Sequence, residues 1–267
     1  MPTKAIVNSS IDTQLALYSR SPKNVRIVPL ARPGYVLPAT LIQQPSVQIW
    51  ELPLRVAEPK SPIDHILSGI ITQQKSVALT STSQSHATGP RYPNLNVLLA
   101  PQHSDLVHPV ARALTDLLHR ITYRTFVEKL AILLVIYPIY QWQISNSYED
   151  YLAIPSWSRP IPSQRTIPHP IWICGMGWPK LREKCIQNQE KYCTEEFQYM
   201  VIQSVNVHWP HGVQAALRRV KGGFTVTKEF WDHTRIMDNW SLDEPFQSRY
   251  PECEFSSCMF FAINWKI

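Results

Sequence analysis

The chain has 267 residues, of which 10% are aromatic and nine are tryptophan, so it has ample material for a buried core and is too apolar for a disordered polymer. Its net charge of +6 is concentrated at the start: residues 1–60 hold seven Lys/Arg against three Asp/Glu, and the remainder nineteen against seventeen. Arg20, Lys23, Arg26 and Arg32 are too sparse for a basic nucleic-acid cluster, which leaves an arm with a weak attraction for acidic partners.

Five cysteines, an odd number, and a first stretch MPTKAIVNSS without an apolar run argue against a secreted disulfide framework and for a reducing compartment. Twenty-three prolines against eight glycines invert the usual balance of about 5% and 7%, and make proline the main punctuation of the chain.

Residues 1–60 are proline-punctuated and non-periodic, and read as a weakly ordered arm; within it, Val47–Val56 (VQIWELPLRV) suits an extended strand or a docking segment. Ser61-Pro62-Ile63-Asp64 provides an N-cap, a proline at the first helical position and an acid three residues after the cap. Ile63, Ile66, Leu67, Ile70 and Ile71 then recur at helical spacing. After a polar loop over residues 80–93, Pro109 opens a second helix with Val110, Leu114, Leu117, Leu118 and Ile121 on one face. Residues 126–144 are apolar almost all round. They carry Glu128, Lys129 and Pro138 and fall short of the ~20 residues a membrane span needs, so they predict a central buried helix that Pro138 kinks or ends.

Pro179 starts the next helix, and Thr194 caps one carrying Phe197, Met200, Val201, Ser204, Val205 and His208. Val213, Ala216, Leu217 and Val220 continue the helical spacing to a stop at Gly222-Gly223, and Thr227 caps a last helix with Phe230, Met237 and Trp240. The expected fold is all-α: a single multi-helix globular domain over residues 61–251, preceded by the proline-rich arm 1–60 and followed by an apolar tail 252–267.

The chemistry-bearing residues form no recognisable active-site pattern. Cys174, Cys185 and Cys193 lack paired zinc-ligand spacing, as does the isolated pair Cys253 and Cys258, and buried thiols acting as small hydrophobes are the simpler expectation. Pro210 separates His208 from His211 and makes a helical metal pair across it improbable. Gly175-Met176-Gly177 does not continue into a dinucleotide fingerprint, and Lys221–Lys228 (KGGFTVTK) lacks a phosphate-loop ending. There is no nucleophile elbow. Catalytic, cofactor-binding and metal-binding residues are therefore assigned as none, and no cofactor is expected.

Several short motifs do occur in order: an apolar helix ending in W-Q-I at Trp142–Ile144, W-x-R-P at Trp157–Pro160, and P-H-P-x-W-I at Pro168–Ile173. W-P-K-L-R at Trp178–Arg182, V-N-x-x-W-P ending at Pro210 and N-W-S-L at Asn239–Leu242 follow. With these landmarks the region from Ser61 to Pro251 resembles a fungal family of domains of unknown function found C-terminal to the basic region of bZIP-type transcription factors. Trp142, Trp157, His169, Trp172, Trp178, Trp209 and Trp240 are then the signature residues, expected in the core. The chain departs from the resemblance in lacking a basic leucine-heptad segment in residues 1–60, and in Pro138 and the Gly175–Gly177 connection.

The resemblance implies a nuclear transcriptional regulator acting through protein partners or by sensing a small molecule, for example over a secondary-metabolite gene set, with DNA contacted only indirectly or through a basic segment not present in residues 1–60. A non-DNA-binding interaction protein, a small-molecule binder or a pathway enzyme, resident in the cytoplasm, are the alternatives. No membrane association is expected.

Overall fold

The computed structural model describes residues 47–81, 83–99 and 107–253; most of the expected arm and nearly all of the tail lie outside them. The described residues from Ile49 to Cys253 form one compact unit, and its architecture is mostly helical.

Helix α1 (Pro62–Thr80) begins with the expected capping box: the Ser61 hydroxyl accepts from the Asp64 amide at 3.1 Å, and the Asp64 carboxylate accepts from the Ser61 amide at 3.2 Å. Helix α2 (Pro109–His119) begins at Pro109 and buries Val110, Leu114, Leu117 and Leu118 of the predicted face, while Ile121 falls two residues past its end. Helix α3 (Phe126–Ser145) is buried over nearly its whole length after the first turn, because α1 and α2 pack on it from one side and later elements cover the rest. It runs past Pro138 to an Asn146 cap in the left-handed region, so the proline does not end it; the covering neighbours outweigh one missing helical hydrogen bond.

Helices α4 (Tyr148–Ala153), α5 (Pro179–Gln187) and α6 (Glu195–Ser204) follow, with Pro179 at the first position of α5 and the Thr194 hydroxyl accepting from the Phe197 amide at 3.1 Å at the start of α6.

Two short sheets correct the all-α expectation. Strand β1 (Val205–Asn206) pairs antiparallel with β4 (Ser241–Leu242), in register Val205 with Leu242 and Asn206 with Ser241. The helical spacing from α6 through Val205 to His208 is broken at Val205, since pairing to a distant strand competes with one more helical turn. Helix α7 (Gly212–Ala216) likewise stops four residues short of Val220, and Leu217–Val220 forms strand β2 of a hairpin with β3 (Gly223–Val226). Leu217 and Val220, three apart, fit the helical period but not the alternation of a strand; the β-branched Val220, Thr225 and Val226 and the pairing partner favour the hairpin that forms.

The hairpin turn is held by Asn96, whose Nδ2 donates to the Gly222 carbonyl at 2.7 Å and whose Oδ1 accepts from the Phe224 amide at 3.1 Å. Gly223 has φ +146°, and a Cβ there would fall 2.0 Å from Asn96 Oδ1. Gly223→Ala is expected to expel the Asn96 side chain and cost about 1–3 kcal/mol in urea unfolding, with the double variant Gly223→Ala/Asn96→Ala costing less than the sum. Additivity would show that the two residues do not meet. Helix α8 (Lys228–Thr234) starts at the expected Thr227 cap, but ends before Met237 and Trp240.

The 49–56 part of the extended stretch docks within this unit. Val56 and His169 form a parallel β-bridge in which the Ala57 amide donates to the His169 carbonyl at 2.8 Å and the His169 amide to the Arg55 carbonyl at 3.1 Å. The Trp142 indole donates to the Trp50 carbonyl at 2.9 Å. Among the described residues no helix is long and apolar enough to cross a membrane.

Candidate functional site

Four of the six landmark motifs prove to be joined in two pairs. Arg182, at the end of W-P-K-L-R, is fully buried and donates to the carbonyls of Ser158 (2.8 Å), Arg159 (2.9 Å) and Trp157 (3.1 Å), the W-x-R-P segment. Burial lowers its pKa to about 10, so it stays charged at neutral pH; the carbonyl dipoles, not a carboxylate, surround the cation. V-N-x-x-W-P and N-W-S-L meet as β1 and β4, and Asp243, one residue on, accepts from Ser241 Oγ (2.5 Å), Asn206 Nδ2 (2.7 Å) and Arg124 (2.5 Å).

His169 and Cys174, separated by five positions, also meet. Nδ1–H of His169 donates to the Ile167 carbonyl at 2.9 Å, which leaves Nε2 as the acceptor facing Cys174 Sγ at 3.5 Å. Burial, above all, pushes the Cys174 thiol up to about 12, so the pair is neutral and the sulfur is no nucleophile at neutral pH. Among the described residues no group of three His, Cys, Asp or Glu could hold a metal.

Burial, and then the Arg182 charge, hold the His169 pKa below the ordinary imidazole value against the Ile167 hydrogen bond. A neutral folded His and an unfolded one titrating near ~6.5 mean that the unfolded state binds more protons as pH falls below that value. Stability is therefore retained above about pH 6.5 and declines below it, and half-buried His108, shifted the same way by burial, adds to the slope. Melting temperatures are expected to fall between about pH 7.5 and 5.5, and His169→Gln should flatten that fall; an unchanged slope would place the titration elsewhere.

Four of the signature tryptophans, Trp157, Trp172, Trp178 and Trp240, converge on one cavity of about 130 Å³. Its lining is otherwise almost wholly aliphatic, from α1 and α2 (Leu67, Leu117, Leu118), α3 (Ile132, Val135, Ile136) and α6 (Val201, Ile202). Gln198 and the hydroxyls of Tyr123 and Tyr140 are the main polar groups, and burial raises both phenols so that they stay neutral. Gly177 admits Trp157 to the wall: a Cβ there would sit 3.1 Å from the Trp157 ring. The Trp157 indole donates to the Arg235 carbonyl at 2.9 Å and that of Trp240 to Thr234 at 3.0 Å, which locks both rings by their polar ends. This volume is of the order of the ~150 Å³ at which a dry apolar cavity takes up benzene.

The other signature residues lie elsewhere. Trp142 packs beneath Trp50, Tyr151 and Arg165; Trp209 stands edge-on to Phe230 and His233 and donates to the Gly212 carbonyl at 2.8 Å. Gln198, Tyr123 and Tyr140 carry no motif, and nothing in the sequence singles them out.

Residues 137–258 match the model of a family described as a domain of unknown function, DUF3425. The match holds every landmark but is narrower than the Ser61–Pro251 span the landmarks suggested; α1, α2 and the first part of α3 precede it and supply the other wall of the cavity. No curated protein and no solved structure matches the chain.

Proposed function

We propose that this protein is a regulatory effector domain of the fungal bZIP-associated type, which takes a small uncharged aromatic molecule into the tryptophan-lined cavity and acts through protein partners in the nucleus. The observation that carries the reading is the convergence of four landmark tryptophans on one apolar cavity. Tryptophans held by hydrogen bonds at their polar ends offer apolar faces in fixed positions, which is how a pocket selects a flat apolar ligand by shape.

Toluene is a suitable first probe, because its binding would be read directly in the fluorescence of the lining tryptophans. Saturable quenching and a raised melting temperature are expected in the natural sequence, and both should vanish in Val201→Phe, which fills the cavity from α6. No change in the natural sequence, or an equal change in Val201→Phe, would remove the sensing role. Cytosolic residence with no promoter enrichment in chromatin immunoprecipitation would remove the regulatory one.

A second reading, an interaction protein without a ligand, is favoured by the β2–β3 hairpin. It exposes Arg218, Arg219, Lys221 and Phe224 on a turn clamped by Asn96, a preorganised basic surface for an acidic partner.

A further inference from the structure

The central helix separates two pockets of opposite character. Ile132, Val135, Ile136 and Tyr140 face the apolar cavity, while Leu134, Tyr137 and Pro138, on the opposite side at 100° per residue, line a second pocket of about 150 Å³. Its remaining walls include Arg91, Tyr92, Trp231 and Arg235.

This second pocket collects positive charge without an acid to match it. Among the described residues no carboxylate is ion-paired with Arg91, Arg159 or Arg235, and Asp232, which acts favourably on Arg235, is paired with Lys228. Burial first, then the repulsion of Arg159 and Arg91, holds Arg235 below the ordinary arginine range, the electrostatic signature of a site that gains from an anion. One of the five Arg235 donors goes to the Ala153 carbonyl at 2.9 Å.

Aromatic surface lies beside the charge. Tyr92 is 53% exposed, stands edge-on to Trp231 with centroids 5.1 Å apart, and so presents ring surface that the fold itself does not cover. Arg235 lies 5.2 Å from the Trp231 centroid, which fixes the guanidinium against a flat wall. Guanidinium forks match a carboxylate in two parallel hydrogen bonds, and aromatic walls match a ring.

We propose that this pocket binds a small arenecarboxylate, its carboxylate against Arg91 and Arg235 and its ring against Tyr92 and Trp231. The site is independent of the apolar cavity, and either can exist without the other. At this volume a single ring with one carboxylate is the size class, and the carboxylate separates its ligand from the uncharged molecule of the first cavity.

The test is titration of the full chain with sodium benzoate, sodium chloride holding the ionic strength constant, followed by calorimetry and by thermal melting. Saturable binding with a raised melting temperature is expected. Arg91→Gln, at an exposed position, should weaken it by about tenfold or more, and Arg235→Lys, which keeps the charge and loses the fork, should weaken it as well. Val201→Phe should leave it unchanged, which distinguishes this site from the apolar cavity. Absence of saturable binding, equal affinity in Arg91→Gln, or loss in Val201→Phe would overturn the proposal; so would acetate binding as tightly as benzoate, because the aromatic walls would then contribute nothing.

Discussion

Arg182→Leu is expected to destabilise the protein by about 3–5 kcal/mol in urea unfolding, although leucine is well suited to a buried helical position. The guanidinium is the partner of three carbonyls on Trp157, Ser158 and Arg159, and an aliphatic replacement leaves that turn with acceptors that water reaches poorly. Arg182→Lys retains the charge but not the planar fork, and should lose about half as much. Because Trp157 is also tied to the Arg235 carbonyl and lines the apolar cavity, the leucine variant should lose toluene binding under conditions where it is still folded. A cost below about 1 kcal/mol would mean that the segment finds other donors and that Arg182 is not its clasp.

Trp142→Ala should cost a similar amount, about 3–5 kcal/mol, from the cavity left by the largest fully buried side chain. Its second effect is local. The indole holds the Trp50 carbonyl, and Arg165, which lies 5.6 Å from the Trp142 ring, also bonds the Leu52 carbonyl. Removing the ring should therefore loosen the docked 49–56 segment and speed native-state tryptic cleavage at Arg55, whereas Trp142→Phe should keep most of the stability and still speed cleavage. Equal cleavage rates in all three proteins would show that the β-bridge at His169 alone secures the segment.

The helices and their starts were legible because their causes are local. Ser61 with Asp64, Pro109, Pro179, Thr194 and Thr227 act on amides within one turn of themselves, and each begins a helix at the expected place. The ends of α6 and α7 were not legible, since Val205–Asn206 and Leu217–Val220 fit a helical period and leave it only because a partner strand is available. At Pro138 the local rule allowed a kink or an end, and burial among neighbours carries the helix on past the proline.

For function the division is sharper. Sequence alone determined the order of the landmark motifs, the absence of a recognisable catalytic or metal pattern, and a core rich in tryptophan. Only the tertiary structure decided what the landmarks are for: Arg182 closes one pair of them, β1 and β4 close another, and four of the tryptophans end on one cavity while Trp142 and Trp209 do not. It also decided that Arg91 and Arg235, 144 positions apart, share a pocket with Tyr92 and Trp231. Local propensity acts over a few residues and leaves a trace in spacing, whereas a cavity or a cluster of charges is made by segments distant in the chain and has no spacing to read.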